Sequence, residues 1–182
     1  INTFYSYNPI EGLRFRIGGR TTEQLSSRFF SEAYAAYGIE KKKWKYFLSG
    51  TYSLNNKSVY KFPQHYIRAS FQHDTKIPGQ NLEFIQEDNV LLSFKRGENR
   101  SYLYNDIYKL EYKAEFQNNF SINAGLTKWK QNPAGVIRYQ IIPEIGDPTT
   151  IHQVNTTEAS IGFRWAPKEQ FYQGKLYRTP IY

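Results

Sequence analysis

The sequence predicts an all-β fold, an antiparallel meander. Three observations carry that reading. Apolar residues recur with a period of two rather than 3.6, as strand faces require. Neighbouring runs of this kind are joined by turn-forming residues that keep their apolar positions in phase. Aromatic residues make up 18% of the 182 residues, with 16 Tyr, 13 Phe and 3 Trp, and these residue types favour strand surfaces.

The first run is Leu13 to Arg20, where Leu13, Phe15 and Ile17 alternate with Arg14, Arg16 and Gly18. Phe29 to Tyr37 follows, less clean because Phe30 and Tyr34 fall on its other face. The next run is sharper: Trp44, Tyr46, Leu48, Gly50, Tyr52 and Leu54 alternate with Lys45, Phe47, Ser49, Thr51 and Ser53. A turn within residues 38 to 43 sets Tyr37 opposite Trp44 and Ala35 opposite Tyr46. Tyr66 to His73 supplies Ile67, Ala69 and Phe71 against Arg68, Ser70 and Gln72.

From Tyr108 onward the alternation is cleanest, since Tyr108, Leu110, Tyr112, Ala114 and Phe116 interleave with Lys109, Glu111, Lys113 and Glu115. Gln117-Asn118-Asn119 is turn chemistry, and Phe120, Ile122, Ala124 and Leu126 continue beyond it. Closing that turn pairs Phe116 with Phe120, Ala114 with Ile122, and Tyr112 with Ala124. Thr157 to Trp165, with Ala159, Ile161, Phe163 and Trp165 on one face, completes about seven strands. Residues 74 to 105 and 130 to 156 read as long connections, with Asn89 to Lys95 a short strand or helix inside the first.

Length is that of one domain, at roughly 150 residues per domain, and no repeat divides the chain, so residues 1–182 are a single unit. The net charge is +8, but 40% of residues are hydrophobic, too many for a disordered polycation. No run of ~18 apolar residues offers a membrane helix, and Ile1-Asn2-Thr3-Phe4 is not a signal peptide. Cysteine is absent, which removes disulfides, thiol catalysis and cysteine zinc sites. There is no methionine, so the chain is expected to be a fragment of a longer one.

Pattern alone leaves two architectures open. A soluble β-sandwich or small barrel that binds a ligand (carbohydrate, lipid or nucleic acid) alternates in the same way, apolar side inward. A membrane barrel alternates apolar side outward. Strands of about 9 to 11 residues, tilted ~45°, match a ~25 Å apolar band, whereas soluble strands more often run ~5 to 6 residues. Aromatics near strand ends suit an interfacial girdle. In the membrane reading Trp44, Tyr46, Leu48, Tyr52, Leu54, Tyr108, Leu110, Tyr112, Phe116, Phe120, Ile122 and Leu126 face lipid. Arg14, Arg16, Lys109, Glu111, Lys113 and Glu115 then face a wet lumen.

Asn8-Pro9-Ile10-Glu11-Gly12-Leu13-Arg14-Phe15-Arg16-Ile17-Gly18-Gly19-Arg20, then Tyr37-Gly38 and Trp44-Lys45-Tyr46, resemble an uncharacterised family of Gram-negative outer-membrane proteins. In that family a carboxypeptidase-regulatory-like domain precedes a large C-terminal barrel. His73-Asp74, Pro78-Gly79, Leu91 to Gly97, Arg164 to Glu169 and Phe171 to Lys175 look similar too. The resemblance implies an all-β meander forming part of an outer-membrane β-barrel, with no assigned catalytic residues. It also implies a chain that continues past Tyr182, so that this piece does not close a barrel by itself.

No enzyme constellation emerges. His65, His73 and His152 are the only histidines, and none has a second His at a ligand spacing. Ser in Gly-x-Ser-x-Gly is missing, as are a P-loop and a dinucleotide fingerprint. Lys41-Lys42-Lys43 with Lys45 could grip nucleic acid, but the remaining basic residues are scattered, so nucleic-acid binding is disfavoured. A lysine-rich hairpin tip beside anionic head groups fits better. The expectation is therefore a non-enzymatic outer-membrane barrel segment of a Gram-negative cell, without cofactor or metal, serving envelope transport, assembly or structure. Its partners would be outer-membrane lipid, the remaining strands of the same barrel and other envelope proteins.

Overall fold

The period-two pattern translates into strands throughout. The structure, a computed structural model, describes residues 5–8, 12–22, 24–40, 42–76, 101–144, 146–174 and 178–181. They form β1 (Tyr5–Asn8), β2 (Gly12–Arg20), β3 (Phe29–Gly38), β4 (Lys43–Ser53), β5 (His65–Lys76) and β6 (Ser101–Glu115). After these come β7 (Phe120–Gly135), β8 (Tyr139–Ile141), β9 (Thr149–Ile151), β10 (Val154–Trp165), β11 (Gln170–Gln173) and β12 (Arg178–Ile181). Among the described residues there is no helix.

Eight strands make one antiparallel sheet in the order β1-β2-β3-β4-β5-β6-β7-β10. Seven of them, β2 to β7 and β10, are the seven runs read from the sequence. Two small hairpins, β8 with β9 and β11 with β12, form separate two-stranded sheets. The main sheet is open: among the described residues β1 and β10 each pair on one side only.

The registers predicted from turn chemistry are the ones observed. Tyr37 lies opposite Trp44 and Ala35 opposite Tyr46. Ala114 lies opposite Ile122 and Tyr112 opposite Ala124. The β6–β7 turn closes with Phe116 N–H donating to the Phe120 carbonyl at 2.9 Å and Asn119 N–H donating to the Phe116 carbonyl at 3.0 Å. Asn119 takes a φ of 59°, a left-handed conformation that Asn tolerates better than most residues.

Four strands run appreciably further than the pattern indicated: β5 continues to Lys76, β10 begins at Val154, and β6 and β7 are extended the most. β6 begins at Ser101 rather than Tyr108, and β7 continues to Gly135 rather than stopping near Leu126. Parts of both long connections are therefore strand, and β8 and β9 occupy more of the second. Asn105-Asp106 and Asn132-Pro133 look like turn signals, but here they lie in a register that runs unbroken from Ser101↔Gly135 to Glu115↔Ser121. Pro133 is tolerated because β10 pairs with β7 only as far as Gln131, so beyond that point β7 is an edge strand. Leu54 falls one residue past β4. The short element expected at Asn89 to Lys95 lies outside the described residues.

Strand alternation also fixes which connections share an end. The β3–β4, β5–β6 and β7–β10 connections leave from one end of the sheet, called here the long-connection end. The β2–β3, β4–β5 and β6–β7 connections leave from the opposite end.

Adjacent glycines on β2 meet different surroundings. A Cβ on Gly18 would meet the Tyr34 Cβ at 2.5 Å and the Ala33 carbonyl at 2.8 Å, whereas one on Gly19 would meet nothing within 4 Å. Gly18→Ala is therefore expected to lower the stability of the folded protein by roughly 1–3 kcal/mol as β2 and β3 are forced apart. Gly19→Ala should stay near wild type. Chemical-denaturation midpoints of the two variants check this, and equal midpoints would contradict the close approach.

Candidate functional site

The site is the sheet itself, because its two faces differ in chemistry and in burial. Register keeps the alternation in phase from strand to strand, so one face collects the apolar set. Leu13, Phe15, Ile17, Trp44, Tyr46, Leu48, Tyr52, Ile67, Tyr108, Leu110, Leu126, Ile161, Phe163 and Trp165 all lie on it, and all are exposed. Ile17 and Trp165 are each 70% accessible. Soluble proteins place such a face against a second layer. Among the described residues no second sheet of comparable size covers it.

Rows across the apolar face are ordered by residue type. Gly50, Ala69, Leu110, Leu126 and Ala159 stand side by side on β4, β5, β6, β7 and β10, a row without an aromatic ring. On its long-connection side Phe71 and Tyr108 pack at 4.6 Å between centroids, and Tyr46 lies 5.6 Å from Phe71. Toward the opposite end lie Tyr52 and Tyr112, then Phe116 and Phe120 stacked at 5.9 Å, with Phe163 at 6.3 Å from Phe120. Two aromatic margins thus flank an aliphatic midline.

The other face is the less accessible one and is mostly polar, with Phe30, Ala36, Leu103 and Ile107 buried among its polar groups. Lys45 is 3% accessible and Asn105 1%, with Ser49, Ser53, Glu115 and Ser121 also buried. Burying such groups is favourable only when they are paired. Lys45 Nζ lies 2.9 Å from Asp74 Oδ1. On the neighbouring strand Asn105 Oδ1 accepts from Trp129 Nε1 at 2.8 Å and from Gln131 Nε2 at 3.3 Å. Asp74 is opposite Asn105, and Asn105 opposite Gln131, so one polar row crosses from β4 to β7.

A second polar group sits toward the opposite end. Glu115 accepts from the Gln64 backbone N–H at 3.0 Å, and Lys113 Nζ lies 3.2 Å from Glu115 Oε1 while donating to Gln64 Oε1 at 2.7 Å. These contacts tie the β4–β5 connection to β6. In that connection Ser58 and Val59 are buried, and Tyr60 meets Phe30 edge-on at 5.3 Å. Phe30 belongs to the polar face of β3, so the connection folds onto that face.

Of the residues expected to face lipid, Trp44, Tyr46, Leu48, Tyr52, Tyr108, Leu110, Tyr112, Ile122 and Leu126 lie on the apolar face. Phe120 opens β7 on the same face, Phe116 sits at the turn beside it, and Leu54 lies past the end of β4. Arg14, Arg16, Lys109, Glu111, Lys113 and Glu115 all lie on the polar face. Arg16 places its guanidinium 4.8 Å from the centre of the Tyr34 ring. Grouping Lys45 with Lys41 to Lys43 predicts an exposed hairpin-tip lysine, but Lys45 is buried on Asp74; that pair and the Asn105 row are what the register adds. Both are in phase with the polar positions, which is the signal that marks them.

Polar groups interrupt the apolar face toward the long-connection end: Lys128 stands opposite Tyr108 and Lys130 opposite Asp106 on β7, and one polar pair joins β5 to β6. His73 and Asp106 face each other on the apolar side, Nδ1 against Oδ1, with the Tyr46 ring stacked on the imidazole at 5.1 Å. They lie at the long-connection margin of that face. Among the described residues no group of three or more His, Asp or Glu side chains is placed to hold a metal ion.

Comparison with known proteins finds no family model, no curated protein and no solved structure that matches this chain. The geometry of the two faces therefore carries the functional reading.

The Lys45–Asp74 pair offers a direct check of the polar face. Asp74→Asn leaves a buried ammonium without its carboxylate and is expected to cost about 3–5 kcal/mol, and Lys45→Met with Asp74→Leu should recover most of that loss. Denaturant unfolding of the single and double variants measures it. A single variant as stable as wild type would mean that Lys45 reaches solvent.

Proposed function

We propose that this chain is a segment of an outer-membrane β-barrel of a Gram-negative cell, with its apolar face toward lipid and its polar face lining a wet lumen. The observation that carries the reading is the inversion of burial: large apolar side chains are exposed on one face while Lys45, Asn105, Ser49 and Ser53 are buried on the other. Water penalises such an exposed face, and hydrocarbon does not.

Dimensions support the same reading. The 12-residue strands β5 and β10, at ~3.3 Å per residue and a ~45° tilt, span roughly 28 Å against the ~25 Å apolar band of such barrels. The aromatic margins around the Leu110 row are where interfacial girdles sit. The His73–Asp106 pair lies at one such margin, where polar groups meet head groups. Among the described residues no helix is long and apolar enough to cross a membrane, which says nothing against this reading, since barrels cross with strands.

In this reading the partners are outer-membrane lipid, further strands of the same barrel along the free edge of β10, and other envelope proteins. The resemblance noted in the sequence points to the same compartment. The role is transport, assembly or structure of the envelope rather than catalysis, and no cofactor is invoked.

In the intact protein Leu110→Arg, at the midline, is expected to cost ~2–4 kcal/mol, Leu48→Arg a similar amount, and Glu111→Gln little. Urea unfolding from lipid vesicles reads all three, and equal tolerance would reverse the orientation. Fractionation of cell envelopes tests the compartment: recovery with the outer membrane and a boiling-dependent gel shift is expected. A soluble, unshifted protein would overturn the barrel.

A further inference from the structure

Toward the opposite end, β2 to β5 and the inward-folded β4–β5 connection border a half-open cavity of about 190 Å³ on the polar face. Arg20, Glu32, Thr51, Tyr60, Tyr66 and Arg68 are among the residues that line it. Tyr60 belongs to the connection and the others to strands, so the cavity has a sheet wall and a loop cover.

Its charges are not satisfied from within. Arg20 and Glu32 are directly opposite in the β2–β3 register, and Arg68 is opposite Thr51 and Glu111. No ion pair joins Arg20, Glu32 or Arg68 to a described residue, in contrast to Lys45 with Asp74 and Lys113 with Glu115. Arg68 Nε is buried and has no hydrogen-bond partner among the described residues. A buried donor on a charged group is costly without an acceptor, and native structures seldom leave one orphaned.

We infer that this cavity binds a small carboxylate-bearing solute of monosaccharide size, a sugar acid. The lining itself holds two guanidinium groups against one carboxylate, and although Glu111 stands beside Arg68 no ion pair joins them, so the Arg68 fork is left for an anion. The planar guanidinium fork matches a carboxylate, which supplies the acceptor that Arg68 Nε lacks. Glu32, the Thr51 hydroxyl and the two phenols suit a hydroxylated remainder, because together they offer both donors and acceptors. The volume lies below the ~300 Å³ at which sites for drug-sized ligands begin, so a single small ring is the scale admitted.

This inference goes beyond the membrane reading and stands apart from it. It needs only the polar face and its loop cover, and a protein recovered from the soluble fraction would carry the same cavity. Envelope fractionation decides the compartment, whereas binding decides the cavity.

Glucuronate is the probe, titrated calorimetrically into the intact folded protein, with glucose and inorganic phosphate as comparisons. Saturable glucuronate binding is expected, with glucose and phosphate each at least about tenfold weaker, the loss that follows from removing a charge-assisted contact or the hydroxylated ring. Arg68→Gln is expected to weaken glucuronate by about tenfold or more, and Arg68→Lys by less, since it keeps the charge but not the fork. Should Arg68→Gln fail to fold, Thr51→Val tests the same sheet wall beside Arg68, with an expected loss of about fivefold. No saturable glucuronate binding, phosphate or glucose binding as tightly as glucuronate, or folded variants that bind like wild type would each overturn the assignment.

Discussion

The structure depends on one constraint: side chains alternate across a strand, and the registers keep that alternation in phase over the whole sheet. Slipping any one strand by a single residue would carry its apolar side chains to the polar side. The turns enforce the phase. The Phe116–Phe120 closure with Asn119 in a left-handed conformation fixes β6 on β7, and the Tyr37↔Trp44 pairing fixes β3 on β4. With the phase fixed, each face acquires a predominant chemistry that no single strand specifies.

The polar face then has to satisfy itself. A buried lysine or asparagine is expensive unless it meets a partner, and the partners come from neighbouring strands at the same height: Asp74 beside Lys45, Trp129 and Gln131 beside Asn105. These contacts bind strands laterally in addition to the backbone ladder. The apolar face is held mainly by van der Waals contact between rings, as between Phe71 and Tyr108, with polar contacts where His73 meets Asp106 and His65 meets the Tyr112 hydroxyl. Specificity of pairing therefore resides mostly on the polar side, and compatibility with the surroundings on the apolar side.

Much of this was legible from residue order. The long strands of the main sheet were visible as period-two runs, and two turns supplied the correct registers because their lengths and residue types admit few alternatives. What escaped were features where local chemistry and tertiary context disagree. Asn105, Asp106 and Pro133 suggest turns taken one at a time, yet pairing with a full-length partner holds them in strands. Lys45 resembles any surface lysine until the register brings Asp74 beside it. The cavity under the β4–β5 connection needed the structure, since residues 54 to 64 carry no pattern that says on which face they fold.

The two margins of the sheet are unequal. β1 is four residues long and β10 is 12, and on the outer edge of each the backbone groups of alternate residues are taken up by no described residue. The sheet is therefore asymmetric as a template: the outer edge of β10 is three times as long as that of β1, and of the two it is the one with more backbone on which another extended segment could pair.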